Sequence, residues 1–169
     1  MPWALRPLVP IVAGWAARSV AKHKSEARSV ASFEFPRLDR YFPQDLLERS
    51  YAVITDDLPV LPFPRNTPVI RRFPDQFSAI TFGETYFIRP HRERDEGLHF
   101  HELIHVVQYE IMGLTPFFHA YGVGVMQGGY FGCPLEAMAY QIEGRFSRGG
   151  EAPFDAVEAV RVEIEKLYG

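Results

Sequence analysis

Between Asp95 and Gly113 the chain reads DEGLHFHELIHVVQYEIMG, a long apolar run with acidic residues at its start and a glycine at its end. That pattern predicts a helix with an acidic N-terminus and Gly113 as a left-handed C-terminal cap. A second helix is predicted from about Pro116. A third is predicted from Pro134 through PLEAMAYQIEGRF, with Ala137 and Ala139 small enough to let it approach a neighbour closely. After Pro153, the apolar positions Phe154, Val157, Val160, Ile164 and Leu167 recur at helical spacing and predict a packing face on a terminal helix. Upstream the period changes. QDLLERS reads as a short helix, YAVIT as a strand, and SAITF with ETYFIR, separated by Gly83, as either an antiparallel hairpin or a bent edge strand. Between YAVIT and SAITF lies a run holding Pro59, Pro62, Pro64, Pro68 and Pro74, which sustains neither helix nor central strand. From Leu58 to Asp75 it is expected to be a loop, either covering a cleft or crossing the surface.

The first residues stand apart. From Met1 to Ala31 five basic residues (Arg6, Arg18, Lys22, Lys24, Arg28) face one acid, Glu26. The longest uncharged run there, Pro7 to Ala17, is far short of the roughly 20 apolar residues that span a bilayer as a helix. Pro7 and Pro10 interrupt it as a signal-peptide core, so the reading favours a cytoplasmic over a secreted protein. Residues 1–35 are accordingly read as a basic amphipathic, helical segment and 36–169 as the main domain. The segment either packs on the body of the domain or rests on an anionic membrane surface through Trp3, Leu8, Ile11 and Trp15.

Composition narrows the chemistry. The 169 residues carry a net charge of −3 with both signs mixed along the chain, which lacks the footprint of a nucleic-acid binder. A single cysteine, Cys133, excludes an internal disulfide and any thiolate cluster, leaving the six histidines as the residues to follow. Two of them fall in HELIH. On a helix, positions four apart are separated by about 400°, so His101 and His105 project from nearly one face and can share a metal ion. Glu102 flanks that face, placed to take a proton from a metal-activated water. His99, about 200° from His101, points away and reads as a structural histidine.

A catalytic zinc needs a third protein ligand and an open position. A glycine and histidine on the same segment would have to occupy 108 and 111, where this chain has Gln108 and Ile111. Glu110 lies about 140° from His105 and cannot turn back. Glu136, in the first turn of the Pro134 helix and 136 − 105 = 31 residues downstream, is the candidate. Glu143, farther along that helix, either accepts a hydrogen bond from a ligand histidine or is a solvated surface charge. Four residues could donate to an oxyanion: His119, Tyr121, Tyr130 and Tyr140. Tyr121 and His119 are preferred, because FFHAYGVG lies between the two ligand helices.

HExxH on one helix followed by glutamate on a second resembles the gluzincin branch of the zincin metallopeptidases. The combination of AITFGETYFIRP, HELIHVVQY and PLEAMAYQIE, from Tyr41 to Phe146, is similar to the small metallopeptidase domain associated with extracellular contractile injection systems and its stand-alone bacterial relatives. The resemblance implies a zinc-dependent peptidase in which His101, His105 and Glu136 bind metal and Glu102 is the catalytic base. The expected architecture is an α+β, zincin-like domain: a small, mainly antiparallel sheet packed on the HExxH helix, with further C-terminal helices. The expected activity is hydrolysis of a peptide or protein substrate. Two rivals are a metal-binding interaction module without turnover and a hydrolase of a non-peptide amide. Oligomeric state is not read from the sequence.

Overall fold

The computed structural model describes residues 2–64, 66–67, 70–73, 77–148 and 152–169, with residues 2–4 described by their backbone. The helices are α1 (Val9–Lys22), α2 (Gln44–Arg49), α3 (Glu96–Met112), α4 (Leu114–Gly128), α5 (Pro134–Arg148) and α6 (Ala156–Tyr168). The strands are β1 (Arg28–Ser29), β2 (Tyr51–Ile54), β3 (Ala79–Phe82) and β4 (Thr85–Ile88), and 3-10 turns link several of them. Among the described residues the protein is therefore α+β, six helices with one four-stranded sheet.

Helix α3 is the axis of the fold. Every residue from His99 to Tyr109 is buried, and a helix buried all round must be wrapped by other elements. Helices α4, α5 and α6 and one face of the sheet do so. Its start is fixed by Asp95, whose carboxylate accepts from Leu98 N–H at 3.1 Å while Arg92 pairs with its other oxygen. At its end Gly113 donates to the Tyr109 carbonyl and has φ 80°, ψ 158°. The positive φ agrees with the choice of glycine, but the extended ψ departs from the expected left-handed cap. The chain enters α4 at the next residue, and the Gly113 carbonyl already accepts from Phe117 N–H. Gly113 is thus a one-residue joint between two helices.

The sheet order is β1-β2-β4-β3. Strands β3 and β4 form a hairpin, Phe82 facing Thr85 across Gly83 and Glu84, and Gly83 takes φ 60°. The central pair, β2 with β4, is parallel, with Tyr51 opposite Thr85 and Ile54 opposite Ile88. The sheet is therefore mixed, two antiparallel pairings flanking a parallel one, where a mainly antiparallel sheet was expected. Parallel neighbours need a long crossover, and the proline-rich run together with β3 supplies it. Strand β1 was not foreseen, since two residues carry no alternation.

Side chains alternate across the sheet. Ala52, Tyr86 and Ile88 face α3, whereas Val53, Phe82 and Phe87 face the opposite side, where Ala16 and Trp15 of α1 cover them. Trp15 meets Phe82 edge-on, ring centroids 4.9 Å apart. The first helix thus packs on the back of the sheet and reaches round to α4. Of the four residues named for membrane contact, Trp15 and Leu8 are half-buried, Ile11 is exposed, and the Trp3 side chain lies outside the described residues. No described helix is long and apolar enough to cross a membrane.

The α6 stripe is buried at Val160 and Ile164 and half-buried at Phe154 and Val157, but Leu167 is exposed. On α5, Ala139 is buried and Ala137 faces solvent, so only the former eases helix approach. Cys133 is buried at the start of α5, against Gly124 of α4. His99 is fully buried: its Nε2–H donates to the Glu93 carbonyl at 2.9 Å and its Nδ1 accepts from the Tyr86 hydroxyl at 2.8 Å. Burial pushes it down to about 4, so it is a neutral structural residue.

Candidate metal centre

Helical spacing sets His101 and His105 one turn apart on α3, their Nε2 atoms 3.2 Å from each other. Helix α5 crosses α3 so that Glu136, in its first turn, completes the group. Its Oε2 is 3.4 Å from His101 Nε2 and its Oε1 is 3.5 Å from His105 Nε2. One ligand atom from each of the three residues lies within 4.8 Å of the others, and all three side chains are buried.

The far sides of the imidazoles fix their tautomers. Gln108 donates its amide hydrogens toward the Leu135 carbonyl at 2.9 Å, which turns its Oε1 to His105 Nδ1, also at 2.9 Å. An amide oxygen only accepts, so His105 Nδ1 carries the proton. Likewise, the Glu143 carboxylate accepts from His101 Nδ1 at 3.0 Å. Both Nε2 atoms are then left to present lone pairs to one point, together with the Glu136 carboxylate. Glu136 Oε2 is buried and makes no hydrogen bond, a costly state for a carboxylate oxygen unless a cation meets it. Two imidazole nitrogens, one carboxylate and outer acceptors on both histidines are a donor set that suits a divalent transition metal. The group can therefore hold a metal ion.

Without an ion the same geometry shows in the protonation. Burial lowers His101, but its contacts with Glu136 and Glu143 outweigh burial and lift it to about 10. Burial raises Glu136, and the two histidines more than reverse that, holding it well below the usual carboxylate range. The pocket is built to keep positive charge.

Glu102 lies beside this group, buried, with Oε2 accepting from the Thr81 hydroxyl of β3 at 2.5 Å. Burial raises its pKa, only partly offset by the adjacent histidines, which suits a carboxylate that must take up and release a proton. The Tyr121 hydroxyl donates to Glu136 Oε1 at 2.5 Å. Glu102, His105, Glu136 and Tyr121 line one cavity together with Tyr130, and Tyr140 lies against His101 with centroids 4.6 Å apart. His119 is half-buried on α4, about 200° round from Tyr121, and is not among the residues lining that cavity. The structure thus brings His101, Glu102, His105, Glu136, Tyr121 and Glu143 together, while His119 is on another face of α4 than Tyr121. Glu110 is drawn outward to Arg49, 2.8 Å away.

Two contributors escaped the sequence reading. Gln108 is a lone amide within the apolar stretch VVQY, three residues after a ligand histidine, and that position was the available signal. Thr81 is a polar residue inside SAITF whose partner is visible only in three dimensions. Gln108→Leu should weaken binding of a divalent metal ion by about 10–100-fold, the cost of losing an outer partner, with helical content retained. Competition against a chromogenic chelator measures it, and unchanged affinity would remove Gln108 from the site.

No family model, curated protein or solved structure matches the chain.

Proposed function

We propose that the protein is a zinc-dependent, zincin-like metallohydrolase, and that its substrates are peptides. The observation that carries the proposal is the convergence of both Nε2 atoms and the Glu136 carboxylate on one point, with Glu102 beside them on the wall of a cavity. A structural zinc site has no use for that fourth residue. When bound, zinc acts as a Lewis acid and lowers the pKa of water. Glu102 is the proton acceptor: Thr81 holds Oε2, leaving Oε1 to take the proton and later deliver it to the leaving amine. Tyr121 donates its one hydroxyl hydrogen to Glu136 Oε1 in the substrate-free site, and turning that hydrogen to the carbonyl oxygen is how it would stabilise the charge that develops there. Gln108 and Glu143 hold the two imidazoles in register. Ala79, Ile80 and Thr81 of edge strand β3 line the cavity together with Glu102.

The test is metal removal and return. Protein stripped with a chelator should take up one zinc per chain by elemental analysis, and the loaded protein alone should cut members of a peptide library read by mass spectrometry. Zinc uptake without any cleavage would remove the peptidase reading and transfer the question to other amides.

A further inference from the structure

The metal centre opens into a cavity of about 130 Å³. Glu102, His105 and Glu136 are its acidic and imidazole lining. The rest is mainly aliphatic and aromatic: Leu8 and Val12 from the N-terminal segment, Phe73 and Phe77 from the proline-rich run, Ile80 from β3, and Phe117 from α4, whose ring stands 6.5 Å from that of His105. Among the described lining residues there is no lysine, arginine or aspartate. A charged group entering among the apolar side chains would lose water and find no cation or additional carboxylate to pair with. An apolar group would gain by leaving water. In size the cavity is close to the apolar cavities of roughly 150 Å³ that take up a benzene ring. The wall nearest the chain's start is held on the sheet, since Ala16 is buried against it and Trp15, itself a lining residue, lies on Phe82. Leu5 also approaches Gly122 of α4 closely enough that a Cβ there would lie 3.3 Å from it.

We propose that this cavity is the specificity pocket for one large apolar side chain, aromatic or branched aliphatic, next to the scissile amide, and that Leu8 and Val12 of the N-terminal segment set its depth. The assignment rests on the peptidase reading, since the occupant is a side chain of the peptide. Discrimination by such a pocket is about 10–200-fold per methylene gained or lost.

Two measurements test it. Toluene added to the zinc-free protein should bind saturably, followed by chemical-shift changes, and Val12→Phe should weaken that binding by at least about tenfold, the lower end of the discrimination expected of an apolar pocket, without altering zinc uptake. Val12→Ala, which removes bulk and does not depend on fitting a new ring, should keep toluene and admit naphthalene. In the zinc-loaded protein, kcat/KM should favour Phe or Leu over Ala at one position flanking the cut by a similar factor, and Val12→Phe should shift the preference toward smaller residues. Unsaturable toluene binding, or equal binding by wild type and Val12→Phe, overturns the proposal. Cleavage with no preference for large apolar residues overturns the pocket and leaves the peptidase standing. Toluene binding with no cleavage of any peptide overturns the peptidase reading, and with it the assignment of the pocket to a peptide side chain.

Discussion

Replacing Glu102 by glutamine should lower kcat/KM by about 10²–10⁴-fold while zinc content stays at one per chain, the range expected when a positioned general base is lost. Glutamine keeps the shape of the side chain and can turn its carbonyl oxygen to the Thr81 hydroxyl, so the contact from β3 survives. It cannot accept a proton, and only that capacity is removed. The folded protein should not be weakened. Burial raises the Glu102 pKa, so the folded chain binds this proton more tightly than the unfolded chain does. The buried carboxylate therefore costs stability once the pH rises above its unfolded value, and a neutral amide relieves that cost. Rates are read with the best library peptide, and zinc by elemental analysis. An unchanged rate would place the catalytic proton elsewhere. If wild type and variant alike bind zinc and neither cuts peptide, the chain is a metal-holding module.

Glu136→Ala should reduce zinc retained after dialysis from one per chain toward none. The variant removes a direct ligand, so the loss should exceed the roughly 10–100-fold cost of losing an outer partner. The helix that carries Glu136 does not depend on it: Leu135, Met138, Ala139, Ile142 and Phe146 are buried in the core and hold α5 in place. Circular dichroism should therefore be unchanged, which separates ligand loss from unfolding. Full retention of zinc would remove Glu136 as the third ligand.

What could be read in advance followed the range of the interactions involved. The pairing of His101 with His105 is a property of one helix, and the start and end of α3 are announced by Asp95 and Gly113. Glu136 and Glu143 were reachable because elimination on α3 forced the search onto the next helix with an acid in its first turn. Contacts that join distant elements left no comparable trace. The parallel pairing of β2 with β4 depends on where the crossover travels, and YAVI and TYFI have the same pattern in either direction. Thr81 becomes relevant only because β3 lies over Glu102. Gln108 was noticed for what it is not, a glycine. Its value comes from the Leu135 carbonyl on another helix, which turns its amide. Likewise, an amphipathic pattern gives α1 an apolar face but does not say that the back of the sheet covers it.

Strand β3 is at the edge of the sheet, and α1 bridges from its outer face to α4 while walling the cavity. If the proposed pocket takes a side chain, its filling and the docking of the first helix are linked, and the linkage is reciprocal. Whatever free energy the occupant gained from Leu8 and Val12 it would return by holding the N-terminal segment in place.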